Sequence, residues 1–302
     1  MRIEIVGRWV WITGASSGIG AELAKEAARA GARLILSGRN GEALAAVARE
    51  CEVLSRSASG AAGASEAGGA GRAGETGEAG GHECLAFDLM DKEARAAAVR
   101  QALAISGGIA LLVLNAGISQ RSLFEELSPE AFDRIMELDF KAPVDIIRRM
   151  IPSWGGGTTS ASGILVVSSL AGLIGAPRRS AYVAAKHALT GFSSVLRGEL
   201  LARRVSVTTA FPAYVRTGIA KAALGADGRP RGIDDPDIEG GADPAKVASR
   251  LLRASLACKA EVRAAFTLES RFALIATRHL PGLYARLAAA RVRSLGTRES
   301  ER

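Results

Sequence analysis

The stretch from Trp9 to Gly20, WVWITGASSGIG, limits the folds open to this chain more than any other. Trp9 to Thr13 is a short apolar, β-rich run, the pattern of a buried strand. Glycines follow at 14, 18 and 20. Ile19, Leu23 and Ala27 then recur at helical spacing towards a stop at Gly31. Strand, glycine-rich turn and helix in that order make a backbone that turns tightly and can approach a pyrophosphate. The helix N-terminus adds unpaired N–H groups and a positive dipole end. Gly14, Ser16, Ser17, Gly18, Ile19 and Gly20 are therefore candidate cofactor-binding residues. The bland alternative is a flexible turn, which this spacing between a strand and a helix disfavours.

The remainder alternates in the same way. Ala32 to Leu36 reads as a second strand ending at Ser37-Gly38-Arg39. An acidic residue near this point would bind the ribose 2′-hydroxyl of NAD. Arg39 instead suits the 2′-phosphate of NADP, or is a solvated loop arginine. After a helix around Glu42 to Leu54, residues Ser57 to Gly81 are all Gly, Ala, Ser, Glu, Arg or Thr. With nothing to bury, they are expected to form a disordered surface insertion. A third strand, Glu83 to Phe87, ends at Asp88, and a helix spans Lys92 to Ala104. The apolar strand Ile109 to Leu114 ends in Asn115-Ala116-Gly117. Ser128 and Pro129 start a helix running to about Ser153. Gly163 to Val167 is a fifth strand ending at Ser168-Ser169, and Val205 to Ala210 a sixth, ending near Pro212. Apolar strands alternating with helices imply a parallel sheet covered on both faces, an α/β doubly wound Rossmann-type fold in a single domain. Ligands of such a sheet bind at the carboxyl ends of its strands. Gly14, Arg39, Asp88, Asn115, Ser169 and Pro212 all lie there.

Between the fifth and sixth strands runs SAYVAAKH, residues Ser180 to His187. On a helix, Tyr182 and Lys186 share one face. A free phenol titrates near pH 10, and a neighbouring cation favours its ionised form. The pair can work as a tuned general acid/base. A YxxxK spacing alone is common, and gains weight here from the cofactor pattern around it.

Other classes are disfavoured. The 302 residues are 48% hydrophobic, enough for one large domain, yet no run of 18 apolar residues forms a membrane span. The three cysteines and three histidines are scattered. They give no disulfide framework and no metal site, and they suit a reducing, intracellular compartment, cytoplasmic or on the surface of an intracellular membrane. The charge of +8 favours anionic partners, but no nucleic-acid motif is present. Much of the excess is arginine near the C-terminus. From Phe272 to Leu295 apolar residues alternate with Arg271, Arg278, Arg286, Arg291 and Arg293, and Pro281 splits the run. This basic amphipathic tail, 271–302, can lie on an anionic membrane, pack on the core or meet a dimer partner. Gly218 to Gly241 is rich in Gly, Pro and Asp and reads as a mobile substrate lid or a plain connecting loop.

Together, TGASSGIG, Asp88, Asn115-Ala116-Gly117, Ser169 thirteen residues before Tyr182, Lys186 and Phe211-Pro212-Ala213-Tyr214-Val215-Arg216-Thr217 resemble the short-chain dehydrogenase/reductase family, from about Arg8 to Phe266. SSLAG, SAYVAAKHAL and RHLPGLYARL are similar to its member 7 and 7B group, which often carries an N-terminal anchor that is not read here. The resemblance implies an NADP(H)-dependent oxidoreductase acting on a carbonyl or secondary alcohol, with a lipid ketone, steroid or retinoid as suitable substrate, and a homodimer or homotetramer. It implies that Tyr182 protonates the carbonyl oxygen, Lys186 assists it and holds the nicotinamide ribose, and Ser169 holds the substrate oxygen. It also assigns cofactor contacts to Asn115, Ala116, Gly117, Asp88, Pro212, Val215 and Thr217. Two positions depart from the family: Ala213 replaces a usual glycine, and Asp139 a usual catalytic asparagine. Pro143 has no N–H for the Asp139 carbonyl, so that carbonyl is expected to bind water and relay protons to Lys186, with the carboxylate adding negative charge nearby. The alternative is that Asp139 is an ordinary helix residue in an enzyme of altered activity. Readings from other classes are a non-catalytic NADP-binding interaction module and a membrane-peripheral lipid-binding protein. The intact Ser169, Tyr182 and Lys186 favour the enzyme.

Overall fold

A computed structural model describes residues 1–63, 81–155, 160–233 and 236–300. The elements in order are β1 (Trp9–Thr13), α1 (Gly18–Arg29), β2 (Arg33–Gly38), α2 (Gly41–Gly63), β3 (Glu83–Ala86), α3 (Lys92–Ser106), β4 (Ile109–Leu114) and α4 (Pro129–Met136). A π-helical turn, Glu137–Lys141, leads into α5 (Ala142–Met150). Then come β5 (Ser162–Val167), α6 (Ser180–Glu199), β6 (Val205–Pro212), the short α7 (Pro236–Glu239), α8 (Pro244–Leu256), β7 (Glu261–Ala264), α9 (Leu268–His279) and α10 (Pro281–Ser300).

The seven strands form one sheet in the order β3-β2-β1-β4-β5-β6-β7, and every pairing is parallel. This is the doubly wound Rossmann-type sheet that the alternating pattern predicts. Strands β1, β4, β5 and β6 are buried along their whole length, so both faces must be covered. One face packs on α1, α2 and α8 through Leu23, Ala27, Leu44, Val47 and Leu251. The other packs on α3, α5 and α6 through Val99, Ile146, Ile147 and Leu189. Burying Leu23 alone contributes about 1.5–3 kcal/mol. On the second face Trp11 Nε1 donates to Ser37 Oγ at 3.0 Å, satisfying a buried indole. Strand order reverses beside β1, where β2 and β4 leave it on opposite sides, and ligands bind at such a switch point.

Three details differ from the sequence reading. Helix α2 continues to Gly63, so the first residues of the Gly/Ala-rich insertion are helical, alanine being a good helix former. The remaining insertion residues, 64–80, lie outside the described residues. Strand β7 was not expected, because its four residues, EVRA, alternate charged and apolar at the sheet edge rather than forming an apolar run. The single helix expected from Ser128 to Ser153 is interrupted by the π turn at Glu137–Lys141. Its start is as expected: Ser128 Oγ accepts the N–H of Ala131, with proline in the first turn.

Candidate active site

The glycine turn is fixed by contacts that leave no room for side chains. Gly14 and Gly18 have φ of +67° and +57°, a region open mainly to glycine. A Cβ on Gly20 would lie 2.2 Å from the Gly14 carbonyl oxygen and 2.5 Å from Asn115 Nδ2. Asn115 explains the closeness. Its Nδ2 donates to the carbonyls of Thr13 and Gly14, each at 3.2 Å. Thr13 Oγ1 in turn accepts the N–H of Asn115 at 3.0 Å and of Ala116 at 3.3 Å. The ends of β1 and β4 are thus bolted together under the turn. Helix α1 starts without a side-chain cap at Ser17 and without an acidic residue in its first turn. A helix end of that kind accommodates an anion. Thr217 closes the turn from the other side, its Cγ2 3.2 Å from where a Gly18 Cβ would be. This cradle fits the pyrophosphate of a dinucleotide.

Tyr182 and Lys186 project from α6 into the same cleft, and both are buried. The Tyr182 ring is held by Ile118, Ile135, Ala181, Ala185 and Leu224. Lys186 Nζ stands 5.6 Å from the ring centre and donates to the Val167 carbonyl at 3.4 Å. Asp139 is completely buried. Its Oδ1 accepts the N–H of Ile118 at 2.8 Å. Its Oδ2 lies 3.1 Å from Lys186 Nζ, an ion pair without a well-aligned hydrogen bond. The Asp139 side chain thus reaches Lys186 directly, whereas the expectation from Pro143 placed the role on the backbone carbonyl through a water. The carboxyl group expected near the lysine lies beside it. Gly117 lies over the pair: a Cβ there would be 3.0 Å from Asp139 Oδ2 and 3.2 Å from Lys186 Nζ.

Burial pushes the Asp139 carboxyl above the usual carboxylate range, against the pull of Lys186 and the Ile118 N–H. Burial also disfavours the Lys186 charge, but the charges of Asp139 and Tyr182 outweigh it and hold the ammonium above 10.5. A neutral Asp139 would leave a buried ammonium with one distant carbonyl for company, which favours the ion pair. Lys186 is thus charged throughout the neutral range.

The π turn that aims Asp139 is clamped from behind. Arg95 of α3, itself buried, donates from Nη1 to Glu137 Oε1 at 2.9 Å and from Nε to Asp145 Oδ2 at 3.1 Å, and also to the Leu89 carbonyl. Pro143, near the start of α5, lacks the N–H that a regular α-helix would need, which accommodates the extra residue of the π turn.

Ser169, two residues beyond the end of β5, lies on the cleft wall. Its Oγ accepts the N–H of Ala171 at 3.2 Å, leaving its own O–H to donate. Ser168 turns away, with Oγ near the Lys186 carbonyl and Thr190 Oγ1. Gln120 was missed by sequence reasoning. It is fully buried, and its Oε1 accepts the N–H of Ala181 at 2.9 Å, fixing the start of α6 one residue before Tyr182. Arg121 and Arg179 also line the cleft and were not foreseen, since neither belongs to a recognisable spacing. Ile219, Ala220, Ala223 and Ile238, from the segment expected to be a lid, complete the wall, and Leu224 pairs with Gln120 across it. The opening, a cavity of about 100 Å³ that widens into solvent, sits at the carboxyl ends of the central strands. Pro212, Val215 and Thr217 line it as well.

Arg39 and Asp88 lie away from this opening, at the ends of β2 and β3. Arg39 is exposed beside Gly38, whose missing Cβ would be 3.5 Å from Ser16 Oγ, so it shares a rim with the glycine turn. Asp88 Oδ1 accepts the N–H of Met90 at 2.9 Å. Ser16 and Ala116 fall on the cradle, not in the chemistry. Among the described residues no group of histidine, cysteine and carboxylate side chains could hold a metal, and no helix is long and apolar enough to cross a membrane.

A nucleotide cradle beside a serine, tyrosine and lysine at a sheet's switch point defines a nucleotide-binding oxidoreductase of the Rossmann type. The family model described as short chain dehydrogenase matches residues 8–68 and 60–226, and the chain belongs to that family. It is 34% identical over 293 residues to the Dehydrogenase/reductase SDR family member 7B of Bos taurus, covering 97% of this chain and 84% of the relative. The Danio rerio protein of the same name is 32% identical over 295 residues, covering 97% and 88%. Among solved structures, a metagenomic short-chain oxidoreductase in complex with NADP superposes with a TM-score of 0.64 at 26% identity, covering 87% of this chain and all of its own. A short-chain dehydrogenase from Streptomyces avermitilis shares the fold with a TM-score of 0.68 at 24% identity, covering 96% and 99%.

Proposed function

We propose that the protein is an NADP(H)-dependent oxidoreductase that interconverts a carbonyl compound and its secondary alcohol. The observation that carries this reading is the convergence of Ser169, Tyr182 and Lys186 on one cleft beside the glycine cradle. The cradle residues Gly14 to Gly20, with Asn115, Gly117 and Thr217 behind them, would hold the dinucleotide. When bound, the nicotinamide supplies or accepts the hydride.

This chain's residues manage the oxygen. The Ser169 hydroxyl donates to the carbonyl oxygen and fixes its direction. The Tyr182 hydroxyl gives that oxygen its proton as the carbon is reduced, and takes it back in the reverse direction. The Lys186 ammonium stabilises the phenolate left behind, and Asp139 keeps the ammonium charged. Packing of the Tyr182 ring in its apolar cluster holds the hydroxyl in place for transfer.

Arg39 on the rim of the cradle favours the 2′-phosphate of NADP. Apolar side chains on one side of the cleft and Arg121 and Arg179 on its wall suit an amphiphilic, lipid-like carbonyl compound bearing an anionic group. The non-catalytic reading would leave Ser169 and Tyr182 without a task. The test is NADPH oxidation across apolar ketones with and without an acidic group. Turnover of acidic, chain-bearing ketones supports the reading, and no turnover of any carbonyl compound with either cofactor overturns it.

A further inference from the structure

Helices α9 and α10 leave in solvent the kind of side chain that other helices of this fold bury. On α9 the exposed residues Leu268 (86%), Phe272 (51%) and Ile275 (58%) follow each other by four and three positions, so they form one stripe. On α10 Leu283 and Leu287 are four apart and exposed, and Leu280 precedes them in the connection. Arg271 lies within the span of the first stripe, Arg278 just beyond it and Arg286 within the second, all exposed. The acidic side chain described on these two helices is Glu269. A side-chain contact ties α10 to the rest of the fold. The Tyr284 hydroxyl donates to the Gly175 carbonyl, and Gly175 lies in the connection from Ser169 to α6. The apolar stripes are therefore held beside the segment that leads to Tyr182.

From this we infer that α9 and α10 form a docking surface for an anionic lipid bilayer. Apolar side chains ringed by arginines match the two layers of such a surface, acyl chains below and negative headgroups above. A second copy of the chain is a poorer occupant. A two-fold contact would bring two copies of the same face together, each carrying Arg271, Arg278 and Arg286, and like-charged faces oppose association. The inference does not depend on the reaction assigned above.

The test is co-sedimentation of the full chain with vesicles of phosphatidylcholine, with and without phosphatidylserine. Binding is expected to the mixed vesicles and to weaken as salt is raised. The triple variant Arg271→Gln, Arg278→Gln, Arg286→Gln should bind them on the order of a hundredfold less tightly, at roughly fivefold per arginine. Phe272→Ser with Ile275→Ser should also lose binding. Unchanged thermal unfolding would show that both variants keep the fold. Failure of the native chain to sediment with mixed vesicles overturns the inference, as does undiminished binding by both variants. Velocity sedimentation decides against it in a further way: a native dimer that Phe272→Ser with Ile275→Ser converts to monomer, with no vesicle binding, would assign the face to a second copy.

Discussion

Replacing Lys186 by methionine keeps a side chain of similar reach and removes the charge. The consequence falls on Asp139, which is completely buried and would retain one hydrogen bond, from the Ile118 N–H. Removing one partner of a buried ion pair typically costs about 3–5 kcal/mol, because the other charge is left uncompensated. At roughly 2–4 °C per kcal/mol for large domains, the melting temperature should fall on the order of 10 °C. The loss should depend on pH. Burial already holds the Asp139 carboxyl above 3.8, and without the lysine it rises further. A carboxyl raised in the folded state favours folding below its unfolded value, and that contribution is lost as pH rises through the folded value. The deficit of Lys186→Met should therefore grow as pH rises above the ordinary carboxylate range and shrink as pH falls towards it. Adding Asp139→Asn removes the orphaned charge, so the double variant should recover most of the stability. Thermal unfolding of the four proteins as a function of pH measures the cycle. A deficit below about 1 kcal/mol at alkaline pH, or a double variant no more stable than Lys186→Met, would refute the ion-pair reasoning.

Three further outcomes follow from the geometry. Asp139→Asn alone keeps an oxygen for the Ile118 N–H and should retain turnover at neutral pH; because Asp139 helps hold the Lys186 ammonium above 10.5, the alkaline limb of the rate profile should move to lower pH, and an unmoved limb would count against it. Gly20→Ala places a methyl 2.2 Å from the Gly14 carbonyl, so it should cost about 1–3 kcal/mol in stability and weaken dinucleotide binding, read by unfolding and by fluorescence titration. Arg39→Ala should weaken NADPH binding by about 1.5–3 kcal/mol, the worth of a charge-assisted hydrogen bond, and leave NADH unaffected; equal loss for both cofactors would mean that Arg39 does not meet the phosphate.

The parts of the site that were legible in the sequence are those made by one stretch of chain. The glycine turn declares itself because its conformation demands glycine locally, at Gly14 and Gly18. Tyr182 and Lys186 share a face because a helix puts them there. What could not be read depends on contacts between distant segments. The Asp139 carboxyl meets Lys186 from a π turn, and Arg95, from a helix more than forty residues earlier, pairs with Glu137 at the start of that turn. Gln120 meets the start of α6 across 61 positions of sequence. Pro143 did signal an irregularity in the helix, and the π turn at Glu137–Lys141 lies just before it. The edge strand β7 was missed for a different reason: half of its residues face solvent, so its apolar signal is two residues, Val262 and Ala264.

The central claim is that Tyr182 transfers the proton in a reductase cleft, and Tyr182→Phe tests it most directly. The substitution removes one oxygen and leaves the ring in its cluster with Ile118, Ile135 and Leu224. Single-turnover reduction of the best carbonyl substrate by bound NADPH should slow by roughly 10²–10⁴-fold, while NADPH affinity, measured by titration on the same sample, stays within about threefold of the native protein. A variant that binds NADPH normally and reduces the substrate at the native rate would contradict the claim.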